Sequence, residues 1–144
     1  MSSSKINFFY IDVRFPFTHR TKLKRFILQI FKKQKKKVAY LNYIFCSDKY
    51  LLKINRKHLG HDYYTDILTF DLSNDSDISA EIYISIDRIK ENSKKFRIPF
   101  STELKRVMFH GVLHLSGYKD KVKLDISLMC KKEDELLNAW QCFT

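Results

Sequence analysis

HGVLHLSGYKD, residues 110–120, places two histidines, a glycine and an aspartate at spacings that become useful on a helix and its exit turn. His110 and His114 are one helical turn apart, so their imidazoles project from one face and can reach a single ion. Gly117 follows the last apolar residue of the pattern, where helices often end in a left-handed residue that reverses the chain. Such a reversal brings Asp120 back as a third ligand. Three protein ligands with a fourth position open are the arrangement of a catalytic zinc rather than a structural one. The helix is expected to begin after Ser101 or Thr102, with Glu103 favourably placed in its first turn. Leu104, Val107, Met108, Gly111, Val112 and Leu115 form its inner stripe, and Phe109 and Leu113 make a second side apolar. It should therefore be central and buried on most sides, with the two histidines at the edge of the stripe.

Two histidines a turn apart also occur where they merely flank a core stripe. The glycine stop and the returning carboxylate favour the metal. A metalloprotease of the H-E-x-x-H kind is disfavoured, because Gly111 stands where the general-base glutamate would be. A glycine there instead lets a neighbouring strand or a substrate come close. Two histidines and one carboxylate are also the ligand types of iron oxygenases, but nothing else in the chain suggests that chemistry.

Outward from the motif, residues 5–11 read as a strand, and Thr18 as the cap of a helix to about residue 35. Leu23, Phe26, Ile27, Ile30 and Phe31 give that helix one apolar stripe. Residues 38–45 read as a second strand, and Ser47 as the cap of a helix over about 48–57 with Leu51, Leu52 and Ile54 inside. TDILTFD, residues 65–71, looks like a buried strand; 73–79 is turn-rich, and 81–87 alternates as a fourth strand. A helix over about 88–96 ends before Pro99. The last helix, about 125–140, would turn Ile126, Met129, Cys130, Leu137 and Trp140 inward.

A chain of 144 residues, 44% hydrophobic, with three Gly and two Pro, suits one domain of regular elements, residues 1–144. Its three cysteines, Cys46, Cys130 and Cys142, lack paired spacing, which points to reduced thiols. No apolar run is long enough to span a bilayer and no signal peptide is legible, so a soluble cytoplasmic protein is expected. The net charge of +11 is uneven: residues 14–47 hold ten Lys or Arg and no acid, leaving +1 for the rest. The excess peaks at Arg25, Lys32, Lys33, Lys35, Lys36 and Lys37. It reads either as a phosphate-binding surface for RNA or as a solvated helix face.

Taken together, HGVLHLSGYKD, TDILTF upstream, Asn55, the strand at 81–87, Met129 and Glu133 resemble, in order along nearly the whole chain, the YbeY family of metal-dependent endoribonucleases involved in ribosomal RNA maturation. The resemblance implies an α+β fold, a mixed four-stranded sheet packed with helices around a central, zincin-like metal-binding helix. It implies zinc on His110, His114 and Asp120. It further implies cleavage of single-stranded RNA at the 3′ end of small-subunit rRNA, with the small ribosomal subunit and a ribosome-assembly GTPase as partners. A non-catalytic RNA-binding assembly factor with a structural metal is the alternative. By family position Asp66 and Glu133 are the proton acceptors to consider, beside plainer roles: a turn or strand-end hydrogen bonder for Asp66, and a partner that orients a ligand or a solvated helix residue for Glu133. Tyr63, Tyr64 or Tyr118 are residues that could stack bases.

Two departures stand out. The family pattern ends G-Y-D-H where this chain has Gly117-Tyr118-Lys119-Asp120, so a carboxylate replaces the third imidazole. An anionic oxygen donor should partly neutralise the ion or shift preference towards harder ones. Leu59 stands where the family commonly has an arginine thought to contact substrate, and Arg56, Lys57, His58 and His61 are the polar groups nearest in sequence.

Overall fold

Four strands, β1 (Ile6–Ile11), β2 (Val38–Cys46), β3 (Ile67–Asp71) and β4 (Ile78–Ser85), pair in the order β1-β2-β4-β3. β1, β2 and β4 run parallel, and β3 is antiparallel to β4. The helices of this computed structural model are α1 (Arg20–Lys33), α2 (Asp48–Ile54), α3 (Ile86–Phe96), α4 (Phe100–Leu115) and α5 (Lys123–Cys142), with a π-helical turn, Asn55–Leu59, continuing α2. The structure describes residues 5–74 and 77–144; of the turn-rich stretch 73–79, residues 75 and 76 lie outside the described residues. The α+β class and the mixed four-stranded sheet are those the resemblance implied.

Parallel neighbours need a crossover, and α1 supplies it between β1 and β2. The five stripe residues of α1 are all buried, in one core with Leu41, Tyr43 and Phe45 of β2 and Ile82 and Ile84 of β4. Side chains alternate across a sheet, so Cys46 and Tyr83 face the other side, where they meet Leu51, Ile54 and Leu68. α2 covers that second, smaller cluster.

Several element ends differ from expectation, each for a packing reason. α1 is entered through His19, left-handed at φ 58 and without a side-chain cap bond, so Thr18 is not its cap. The rings of Phe15 and Phe17 pack edge-on against Phe45 with centroids 5.2 and 5.3 Å away, and this contact sets the entry. Ser47 does cap α2, accepting from the Tyr50 N–H at 3.2 Å, but the α-helix gives way to the π-turn at Asn55 instead of running to 57. Ser85 caps α3 in the same way, accepting from the Arg88 N–H at 3.2 Å, so β4 ends and α3 begins two residues early. Pro99, not Ser101 or Thr102, precedes α4, its carbonyl accepting from the N–H groups of Thr102 and Glu103 at 3.1 Å each.

β3 is an edge strand rather than a buried one, with only Leu68 fully covered. Along α5, Ile126 and Cys130 face solvent, and the inner face is Met129 and Glu133 with Leu136, Leu137 and Trp140 packed on the core. Glu133 takes the place on that face that a purely apolar reading gave to Cys130.

α4 is held down on the sheet at two points. The Tyr43 hydroxyl donates to the Met108 carbonyl at 3.0 Å inside the core. At Gly111 an added Cβ would lie 2.7 Å from the Ile82 Cδ1 and 3.3 Å from the Ile67 Cδ1. Glycine there sets the close approach of α4 to β4 and β3, as its place in the motif suggested. The histidines that flank it are thereby brought beside the open β3 edge.

Candidate metal centre

The end of α4 makes a Schellman turn. Tyr118 N–H donates to the Leu113 carbonyl and Gly117 N–H to that of His114, both at 3.0 Å, with Gly117 at φ 101. This is the reversal read from the sequence, and it returns Asp120 to the helix. Its Oδ2 lies 3.2 Å from the His114 Nε2 and 3.3 Å from the His110 Nε2, and the two imidazole rings stand 4.6 Å apart between centroids. Ligand atoms of all three residues fall within 4.8 Å of one another.

The donor chemistry and spacing fit a divalent ion. Tetrahedral bonds of about 2.0–2.1 Å require donors roughly 3.3–3.4 Å apart, close to the 3.2 and 3.3 Å found from Asp120 to the imidazoles. The triad opens into a cleft of about 530 Å³ between α4 and β3, lined also by Thr65, Asp66, Thr69 and Arg106. Three protein donors facing a cleft leave room for water or substrate at the remaining position.

His110 is oriented from behind by a chain of buried ion pairs. Its Nδ1 lies 2.5 Å from the Glu133 Oε2, which directs Nε2 towards Asp120. The other Glu133 oxygen accepts from Arg106 Nη1 at 2.9 Å. Arg106 then donates to both oxygens of Glu103, from Nε at 2.8 Å and Nη2 at 2.7 Å, and Asn92 Nδ2 donates to the same carboxylate at 3.3 Å. Glu103 is fully buried and Glu133 nearly so. Of these residues the sequence points to Glu133 as a candidate proton acceptor, with orientation of a ligand as one of its plainer roles, reads Glu103 as a helix-dipole residue and assigns no role to Arg106. Glu103, Arg106 and His110 at i, i+3 and i+7 share one helical face, which is the signal in the sequence that could have found them.

Burial pushes the Asp66 carboxyl above the usual carboxylate range, against the opposing charges of Arg106 and His110. For His110 burial alone would favour the neutral ring, but the hydrogen bond and charge of Glu133, with Asp120 and Asp66, outweigh it and raise the pKa above the ordinary 6.5. Glu133 is driven the other way: despite its burial, hydrogen bonds from His110 and Arg106 hold it below the usual value.

These shifts predict how the metal-free protein responds to pH. A raised imidazole contributes stability that is fully present below its unfolded value, 6.5, and is lost as pH rises through the folded one. In excess chelator, Tm should therefore fall as pH is raised from about 6.5. Glu133→Gln should flatten that dependence, and a wild-type Tm that does not change across this window would remove the pair from the account.

The fold and site have clear relatives. A family model described as Endoribonuclease YbeY matches residues 11–141. The chain belongs to the YbeY family. The Endoribonuclease YbeY of Flavobacterium psychrophilum is 46% identical over 132 residues, 92% of this chain and 94% of that protein. That of Cytophaga hutchinsonii is 45% identical over 139 residues, 96% of this chain and 97% of its own length. A Thermotoga maritima protein solved in solution is 28% identical, with a TM-score of 0.62, covering 94% of this chain and 92% of that one.

Within this YbeY family member, the departures noted in the sequence take a definite form. Leu59 ends the π-turn, 44% exposed, and the guanidinium that lines the cleft is that of Arg106, already paired to two carboxylates. The basic helix lies apart from the cleft. None of its residues lines the cleft, and α1 meets α4 within the core, where Phe26 packs on Phe109 with ring centroids 5.3 Å apart. Part of the charge of α1 is spent locally: Lys22 and Arg25 lie over the rings of Trp140 and Phe143, and Arg25 donates to the Thr144 carbonyl at 3.1 Å. Lys32, Lys33, Lys35 and Lys37 remain exposed and Lys36 half-buried. Among the described residues, no helix is long and apolar enough to cross a membrane.

Proposed function

We propose that this chain is a metal-dependent endoribonuclease that cuts single-stranded RNA in ribosomal RNA processing. The observation that carries the reading is the triangle of His110 Nε2, His114 Nε2 and Asp120 Oδ2, spaced for one divalent ion and open to a cleft, in a member of the YbeY family. An ion held there supplies Lewis acidity to a phosphoryl oxygen and to the attacking water. His110, His114 and Asp120 are its ligands. Glu133 positions His110: both its oxygens are engaged, by Arg106 and by Nδ1, which argues against a general-base role. Asp66 lines the same cleft as the triad, and burial raises its carboxyl above the usual carboxylate range, so it is the carboxylate placed to exchange a proton there.

The same reading extends to zinc as the ion and the 3′ end of small-subunit rRNA as the target. The small ribosomal subunit and a ribosome-assembly GTPase would be its partners and the cytoplasm its compartment; all of these rest on family membership. It also takes residues 1–144 as one endoribonuclease domain. The test is an end-labelled RNA offered single-stranded and as a duplex, with and without chelator. Internal cuts confined to the single strand and abolished by chelator are expected. Stepwise shortening from an end, or equal cutting of the duplex, would contradict it.

In this reading the lysines from Lys32 to Lys37 hold phosphates of the strand beyond the cleft. Reversing Lys32, Lys33, Lys35, Lys36 and Lys37 to Glu should weaken binding to unrelated sequences alike and lower the log–log salt slope by roughly 0.7 for each lost contact. The apolar stripe of α1 is untouched by the change, so Tm should hardly move. An unaltered affinity and slope would make this face a solvated one only.

A further inference from the structure

Segment 60–66 runs from the π-turn into the cleft and carries two tyrosines that add nothing to either core. Tyr63 and Tyr64 are 55% and 53% exposed, yet both are held in place. The His61 N–H returns to the Asn55 carbonyl at 3.2 Å across Gly60, which is left-handed at φ 67. Asn55 is fully buried and donates from Nδ2 to the Tyr63 carbonyl at 3.0 Å, and among the described residues its own Oδ1 has no partner. A fully buried amide thus fastens this exposed loop to the end of α2. A second tie, from Arg56 to Asp62, closes the same loop.

Each ring is backed on one side and open to solvent elsewhere. The His61 ring lies nearly parallel to that of Tyr63, 21° between planes with centroids 5.2 Å apart. The Arg88 guanidinium stands 4.9 Å from the Tyr64 centroid and is itself held by Asp48 at 3.0 and 3.2 Å. The next residues, Thr65 and Asp66, line the metal cleft. An extended chain covers at most about 3.6 Å per residue, so the Tyr64 Cα is within about 7 Å of that of Asp66 and the Tyr63 Cα within about 11 Å. Arg88 behind Tyr64 places a guanidinium against that ring.

We propose that Tyr63 and Tyr64 form a stacking platform for the one or two nucleobases that flank the phosphate seated at the metal cleft. The proposal rests on the endoribonuclease reading and deepens it. Splayed bases stack on pre-fixed aromatic faces whatever their identity. Bases in a duplex are already stacked on one another, so the platform selects single strands. The backing by His61 and Arg88 fixes the rings before RNA arrives, which lowers the entropy cost of binding.

The test is binding of a short single-stranded RNA in chelator by the wild-type chain, Tyr63→Ala, Tyr64→Ala and the two Tyr→Phe variants. Each Ala variant should lose roughly fivefold to a hundredfold in affinity, with an unchanged salt slope because no phosphate contact is lost. Tyr64→Phe keeps the ring and should bind like the wild type. Tyr63→Phe keeps the ring but loses its hydroxyl contact with the His61 Nδ1 at 3.0 Å, and should bind more tightly than Tyr63→Ala. Single abasic nucleotides walked along the RNA should weaken wild-type binding at one or two adjacent positions and there erase the difference from the Ala variants. Ala variants that bind as the wild type does, with a flat abasic scan, overturn the platform. Cleavage of the same RNA by the metal-loaded wild type is scored separately. If it cuts while the scan is flat, only the platform falls; if it does not cut, the endoribonuclease reading falls and takes the platform with it.

Discussion

His114→Ala should abolish both stoichiometric metal binding and RNA cleavage while leaving a folded chain. Two remaining ligands, His110 and Asp120, seldom hold a catalytic ion, and the loss should exceed the roughly 10–100-fold that follows removal of a group that only orients a ligand. Folding should survive because His114 is half-buried at the rim of the cleft and packs no core contact that alanine would empty. Elemental analysis of the purified variant, beside circular dichroism, checks both halves. Full occupancy with an ordinary Tm would sink the three-ligand site.

Arg106→Met is expected to have the largest effect on stability. It strips Glu103 of its bidentate partner and Glu133 of one of its two, and both carboxylates are buried. Removing one member of a buried ion pair costs about 3–5 kcal/mol where the remaining charge is left poorly compensated; here, among the described residues, Glu103 keeps only Asn92 and Glu133 only His110. For a chain of this size that is roughly 10–15 °C in Tm. Arg106→Lys should recover only part of the loss, since an ammonium cannot reproduce the forked contact with Glu103. The substitution should also loosen metal binding through Glu133 and His110. A Tm within 2 °C or so of the wild type would mean that the ion-pair chain bears little of the fold's stability.

The metal triad was legible because everything it needs is local. His110 and His114 depend on helical period, and Asp120 depends on a glycine in the one place where a Schellman turn requires it. Ser47 was legible as a cap for the same reason. The sheet is less so: periodicity locates four strands, but the mixed pairing comes from the family resemblance, and the apolar run 65–71 reads as a buried strand although β3 lies at the edge. Glu103 misled because a glutamate in a first turn has a sufficient local explanation, whereas its burial depends on Arg106 and, across 27 residues, on Arg106 reaching Glu133. Helix starts at His19 and Pro99 were missed because ring packing and a proline carbonyl replaced the side-chain caps that Thr18 and Ser101 offered. Cys130 and Ile126 matched an apolar face, but the groups facing α4 are set by the need of His110 for a carboxylate.

The account rests on one ion, held by His110, His114 and Asp120, at which single-stranded RNA is cut. The most direct test strips the protein of metal and follows internal cleavage of a labelled single-stranded RNA as zinc is returned. Activity should be absent at first, rise in proportion to added ion and level off at one equivalent per chain, and His114→Ala should stay inactive throughout. Cleavage by the stripped wild type, or cleavage by His114→Ala matching it at one equivalent, would contradict the account.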